Sequence, residues 1–254
     1  DSLIFDAATH TIAQAATLQN FEYVKLKNKS TVTVNEALIL TDGGVGAGTV
    51  DIESGSEMAI KPTLVGDFAF DPLLTGKGLL SVGLDADTSA FDFTTNVGNT
   101  FAGTLKLGLS QFDLSDLNTT SLTAATLQTD TGNITTVGTG VQNIGGLTFS
   151  GGKLIFGSIM PGDKVSENSI VTSAAGTLDL RGTGTVQVTM PTEVINDVPA
   201  IDSRKSLFEQ DDETTLVKLV TALGSVVGTG SAITLKDDNG NVISNAQTFD
   251  ITQH

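Results

Sequence analysis

The chain has 254 residues, 39% of them hydrophobic but only 5% aromatic, with 28 Gly, 5 Pro and no Trp or Cys. Its formal net charge of −16 and pI near 4.2 exclude the basic footprint that nucleic acid or an anionic membrane requires of a partner. The absence of cysteine excludes disulfides, zinc–thiolate sites and Cys nucleophiles, and no apolar run is long enough to insert into a bilayer as a helix.

In chain order, SLIF follows Asp1 as a strand, and the start reads as that of a mature or excised piece. VKLKNKSTVTV (24–34) then alternates apolar and polar residues on either side of a polar turn. Val24, Leu26, Val32 and Val34 face one way, and a small residue, Ser30, closes the turn. VDIESGSEMAI (50–60) repeats the phrase with Val50, Ile52, Met58 and Ile60 and with Ser56 in place of Ser30. LDLRGTGTVQV (178–188) repeats it again with Leu178, Leu180, Val186 and Val188 and with Gly184 at the small position.

The spacing predicts that Val50 sits over Val24 and Met58 over Val32. A period near 25 recurs from Leu80, Val82 and Leu84 to Leu105, Leu107 and Leu109, and from Leu154 and Phe156 to Leu178 and Leu180. Short inward pairs recur at Leu38/Leu40, Phe91/Phe93, Phe112/Leu114, Leu147/Phe149 and Ile233/Leu235. Strands of four to five residues, roughly three to a period, predict an all-β fold: a parallel β-helix of about ten coils in one unit, 1–254. Residues 61–79 and 115–146 fit the register poorly and are expected to be loops protruding from the stack.

After Pro191 the pattern breaks. TEVINDVPAIDSRKSLFEQDDETT reads as a loop, hairpin or small protrusion, and 191–254 as a less regular segment. LVKLVTALGSVV (216–227) has some helical spacing, but its β-branched content favours strands; DDNG (237–240) reads as a turn between ITL and NVIS.

FAGTLKLGLSQFDL, IGGLTFSGGKLIFG, GTLDLRGTGTVQV and SLFEQDDETTLVKLVTA resemble the passenger region of type V autotransporter adhesins of the AIDA-I kind, over most of 80–254 and more weakly over 1–60. The resemblance implies a right-handed β-helix displayed outside the cell at the bacterial outer membrane. It also implies adhesion, self-association and biofilm formation, with the chain itself, host glycans or matrix proteins as partners, and a piece from near the barrel-proximal end of the passenger.

Chemistry-bearing residues are sparse. The only histidines are His10 and His254, and ESGSE (53–57) lacks the GDSGS arrangement of passenger serine proteases. The carboxylate pairs Asp85/Asp87, Asp113/Asp116, Asp211/Asp212 and Asp237/Asp238 are the candidates for a polysaccharide lyase or hydrolase on the same fold, but 29 acids produce such pairs by chance. GGVGAG (43–48) matches neither GxGxxG nor a calcium repeat, and DDNG lacks the other ligands of a calcium loop. No cofactor or metal is expected. The candidate interaction surface is Lys25, Lys27 and Lys29 on one outward face, poised to meet an acidic stretch such as Glu209, Asp211, Asp212 and Glu213 on another molecule. The expected function is that of a non-enzymatic surface adhesin, with the enzyme and a structural stalk as alternatives.

Overall fold

The computed structural model describes residues 1–13, 16–19, 21–36, 38–41, 48–63, 66–158, 165–189, 194–195, 198–199 and 218–243. Apart from one short helix, Asp116–Ser121, its regular structure is strands. They stack in parallel as a β-solenoid with three faces, and the one antiparallel strand pair among the described residues joins Val194–Ile195 to Val198–Pro199.

The second face is the longest and stacks nine strands, from Thr9–Ile12 to Ser225–Val227, close to the ten coils expected. Alternation turns every second side chain inward, so the core is a set of columns. In this face one column runs Val32, Met58, Leu80, Leu105, Leu127, Leu147, Leu178. Each of these residues is 5% exposed or less, and such burial stabilises by about 1.5–3 kcal/mol per side chain. His10 heads the column above Val32, exposed, with its ring stacked 5.4 Å from Phe5.

The first face begins with Ser2–Asp6, Tyr23–Lys27, Thr49–Ile52 and Leu73–Gly76. Val24 pairs with Val50 and Val32 with Met58, as the spacing predicts. The third face carries a stack of phenylalanines. Phe68, Phe91 and Phe112 stack at 6.3 Å intervals, and Phe93 meets Phe70 edge-on at 5.9 Å.

The corner between the first and second faces is a column of small residues. Register places Ala8, Ser30, Ser56, Gly78, Gly103, Ala125, Gly145, Gly176 and Gly224 one above another. Early members use a hydroxyl. Ser30 Oγ accepts from the Ala8 amide at 3.1 Å, and Ser56 Oγ accepts from the Ser30 amide at 3.1 Å. At Gly176 no side chain fits at all, because a Cβ there would lie 1.7 Å from the Gly145 carbonyl oxygen.

Three expectations are corrected. The third copy of the phrase occupies a different corner, between the second and third faces: Leu178 stacks on Leu147, and Val186 on Leu154. Leu180 is accordingly only partly buried, and the 24-residue step from Leu154 to Leu178 is not a stacking step. Residues 115–146 are not a protruding loop: the helix is followed by Thr126–Thr129, Asn133–Val137 and Gly140–Ile144, all within the stack. Residues 61–79 likewise contribute the stacked strands Phe68–Phe70 and Leu73–Gly76. The ambiguous 216–227 forms strands Lys218–Ala222 and Ser225–Val227, with 216–217 outside the described residues.

Candidate functional site

The three lysines lie on the first face and its corner. Alternation turns Lys25 and Lys27 outward, but the neighbouring turns bring acids to meet them. Lys25 Nζ lies 3.1 Å from Asp51 Oδ2 and 2.7 Å from Glu53 Oε1, and Lys27 Nζ lies 3.0 Å from Asp6 Oδ2. Hydrogen bonds to Glu53 and then Asp51 raise the Lys25 pKa. Burial opposes ionisation of Asp51, yet hydrogen bonds donated by the Tyr23 hydroxyl at 2.8 Å and by Lys25 outweigh it and hold the carboxyl below its ordinary range. Asp6 is lowered by Asn28 first and Lys27 second. Burial and the bond to Asp51 raise the Tyr23 phenol. Lys29 is exposed at the turn, with φ +64°. The first two lysines are therefore engaged within their own face. Glu209, Asp211, Asp212 and Glu213 lie outside the described residues, as do His254 and residues 43–47 of the Gly-rich string.

The other sequence candidates fall into turns. Asp85 accepts from Ser89 Oγ at 3.1 Å. Asp237 accepts from the Asn239 and Asn241 amides at 2.9 and 2.7 Å, which makes DDNG a self-capped turn. Ser56 of ESGSE is 1% exposed in the corner column. Among the described residues no three His, Asp or Glu side chains gather as a metal site, and no helix is long and apolar enough to cross a membrane.

Asp113 and Asp116 are the pair that the fold places in a concavity. The helix Asp116–Ser121 occupies the first-face position of its turn, directly before the strand Gly140–Ile144 of the next. Its inward residues are polar and satisfied. Asn118 Oδ1 accepts from the Phe93 amide at 2.9 Å, while its Nδ2 donates to Asp92 Oδ1 at 2.9 Å and to the Asp113 carbonyl at 2.8 Å. Thr119 Oγ1 donates to Gln142 Oε1 at 2.6 Å, and Gln142 Nε2 donates to the carbonyls of Gly138 and Thr139. Asp116 opens the helix with φ +43°, a region that costs a non-Gly residue about 1–3 kcal/mol.

Between helix and strand lies an open groove of about 620 Å³, lined by Asp113, Asp116, Thr120, Val141, Asn143 and neighbouring small polar residues. Its only charged lining groups are the two carboxylates. The carboxylate pair was visible in the sequence; the groove was not, because nothing in SDLNTTS signals a buried helical face.

No protein-family model matches the chain, and no solved structure matches it. Two curated proteins of Escherichia coli (strain K12) are similar to it. One is an uncharacterized protein, YuaQ, 41% identical over 189 residues, which are 74% of this chain and 14% of that protein. The other is an uncharacterized lipoprotein, YdeK, 31% identical over 271 residues, a match that takes in 100% of this chain and 20% of that protein. The chain is thus a β-solenoid similar to segments of these proteins, and it spans only 14% and 20% of their lengths.

Proposed function

We propose that this chain is a passenger segment of a bacterial surface adhesin of the autotransporter kind, held at the cell envelope and acting through contacts spread along its outward faces. The observation that carries this reading is the second face. Nine parallel strands in continuous register present two outward columns, and the hydroxyls of Thr9, Thr31, Thr104, Thr126 and Thr177 recur along one of them. A broad, repetitive, hydrogen-bonding surface suits many weak contacts with another cell's copy, a host glycan or a matrix protein, multiplied by the number of molecules displayed. That YdeK is a lipoprotein supports placement at the envelope.

The test is cell aggregation and matrix attachment with the segment displayed. Replacing Thr31, Thr104 and Thr126 together by Arg, with the circular dichroism unchanged, is expected to reduce both. Unaltered adhesion overturns the reading. A structural stalk is the second reading, favoured by the small share of the relatives' length that the chain spans. It predicts that an unrelated solenoid of equal length restores adhesion fully.

A further inference from the structure

We infer that the free edge of the strand Gly140–Ile144 is a docking site for an extended peptide that carries a basic side chain. On the first face, this strand pairs with Val165–Thr172, which pairs in turn with Lys218–Ala222, and among the described residues the sheet extends no further. A parallel strand bonded along one edge still presents alternate peptide N–H and C=O groups along the other. In most of this solenoid the adjoining turn takes up those groups. Here the preceding turn offers a helix, whose backbone bonds run along its own axis and not toward a neighbouring strand.

The links across the junction sit at its ends and beneath it. The Gly138 amide donates to the Leu114 carbonyl at 3.0 Å, the Gly145 amide donates to the Leu122 carbonyl at 2.8 Å, and Thr119 reaches Gln142. Between those ends the strand borders the 620 Å³ groove. Val141 is 52% exposed there, an apolar side chain available to a guest.

Five strand residues offer an edge of about 17 Å, enough for a short extended segment to add as a further strand. Main-chain hydrogen bonds would give the affinity. The charge of the guest follows from the walls: Asp113 and Asp116 are carboxylates with no cation among the lining residues, so a Lys or Arg at a position facing them is favoured and an acidic segment repelled. This site lies on a different face from the threonine column and does not rest on the adhesive reading.

The experiment uses the full chain, labelled with nitrogen-15, and the peptide acetyl-Thr-Lys-Val-Lys-Thr-amide. Further probes are the same peptide N-methylated at alternate residues in one register or the other, its all-threonine counterpart, and chitotetraose as a neutral glycan. The expected result is a set of amide shifts centred on residues 139–143, with slowed hydrogen exchange in that strand. Methylation in the matching register is expected to weaken binding by roughly tenfold for each pair of hydrogen bonds lost. The double change Asp113→Asn with Asp116→Asn is expected to weaken the lysine peptide and to leave its all-threonine counterpart unchanged. Equal binding of both methylated registers, shifts lying elsewhere, or no saturable shift up to about 1 mM overturns the site. So does chitotetraose moving these amides where the peptide does not.

Discussion

Two stretches of the stack, 21–60 and 110–146, are held by opposite means. In the first, aliphatic columns fill the inside and ions decorate the outside: Val24 lies over Val50 and Leu26 over Ile52, while Lys25 and Lys27 meet Asp51, Glu53 and Asp6 across the turns. In the second, part of the inside is itself polar. Asn118, Thr119, Asn133, Thr135 and Gln142 are all less than 9% exposed, and each is hydrogen-bonded. The difference teaches where specificity resides. Exposed ion pairs follow from stacking and add little to it, whereas buried amides must be satisfied and so admit a single arrangement. That is how a helix can interrupt a solenoid without unravelling it.

The largest effect is expected at the corner that both stretches share. A Cβ on Gly145 would lie 2.5 Å from the Ala124 carbonyl carbon and 2.6 Å from the Ala125 carbonyl oxygen, so Gly145→Val must displace backbone. We expect a loss of about 4 kcal/mol or more in denaturant melts. Ser30→Ala, at the equivalent position of the first stretch, removes one hydroxyl and is expected to cost about 1–2 kcal/mol. If the two variants melted alike, the corner would not be what limits the stack.

Next in size is Asn118→Ala, which leaves the buried Phe93 amide without its acceptor and is expected to cost about 1–3 kcal/mol by the same measurement. Lys25→Met should change stability by less, because Asp51 keeps the hydrogen bond from Tyr23 and Glu53 is exposed. The reverse ranking would mean that the outer ions hold the stack.

The smallest effect separates the stretches by pH. Asp51 and Asp6 have folded pKa values below their ordinary ones, so the unfolded chain binds more protons in that range. Their contribution is complete above about pH 4 and is lost as pH falls through the lowered folded values. Relative to the intrinsic rate, hydrogen exchange in Tyr23–Lys27 should therefore quicken below about pH 4, and exchange in Asn133–Val137, whose Asn133–Thr135 bond has no titrating partner, should quicken less. Equal acceleration in both would remove the ion pairs as the cause.

The fold was legible where inward residues are aliphatic and recur at one coil's spacing, as from Leu80 to Leu105. It was illegible where the inward face is polar: hydropathy sees Asn118, Thr119 and Ser121 as loop residues, although the structure buries all three. The phrase strand, small turn, strand describes any corner, so Gly184 looked equivalent to Ser30 while sitting at another. Parity identified Lys25 and Lys27 as outward. Their acids sit 21 to 28 residues away, and only the register across turns brings them near.

The column of small residues at the first corner has a consequence for how such a chain can vary over generations. The step from Ala8 to Ser30 takes 22 residues and that from Ser30 to Ser56 takes 26, yet both land on the same column. Each corner resets the count, so residues gained or lost in one turn need not disturb the register of the next. Gene segments encoding whole turns can be duplicated or exchanged, provided that each returns a small residue to the seam. The outward positions of the faces are then left open to drift.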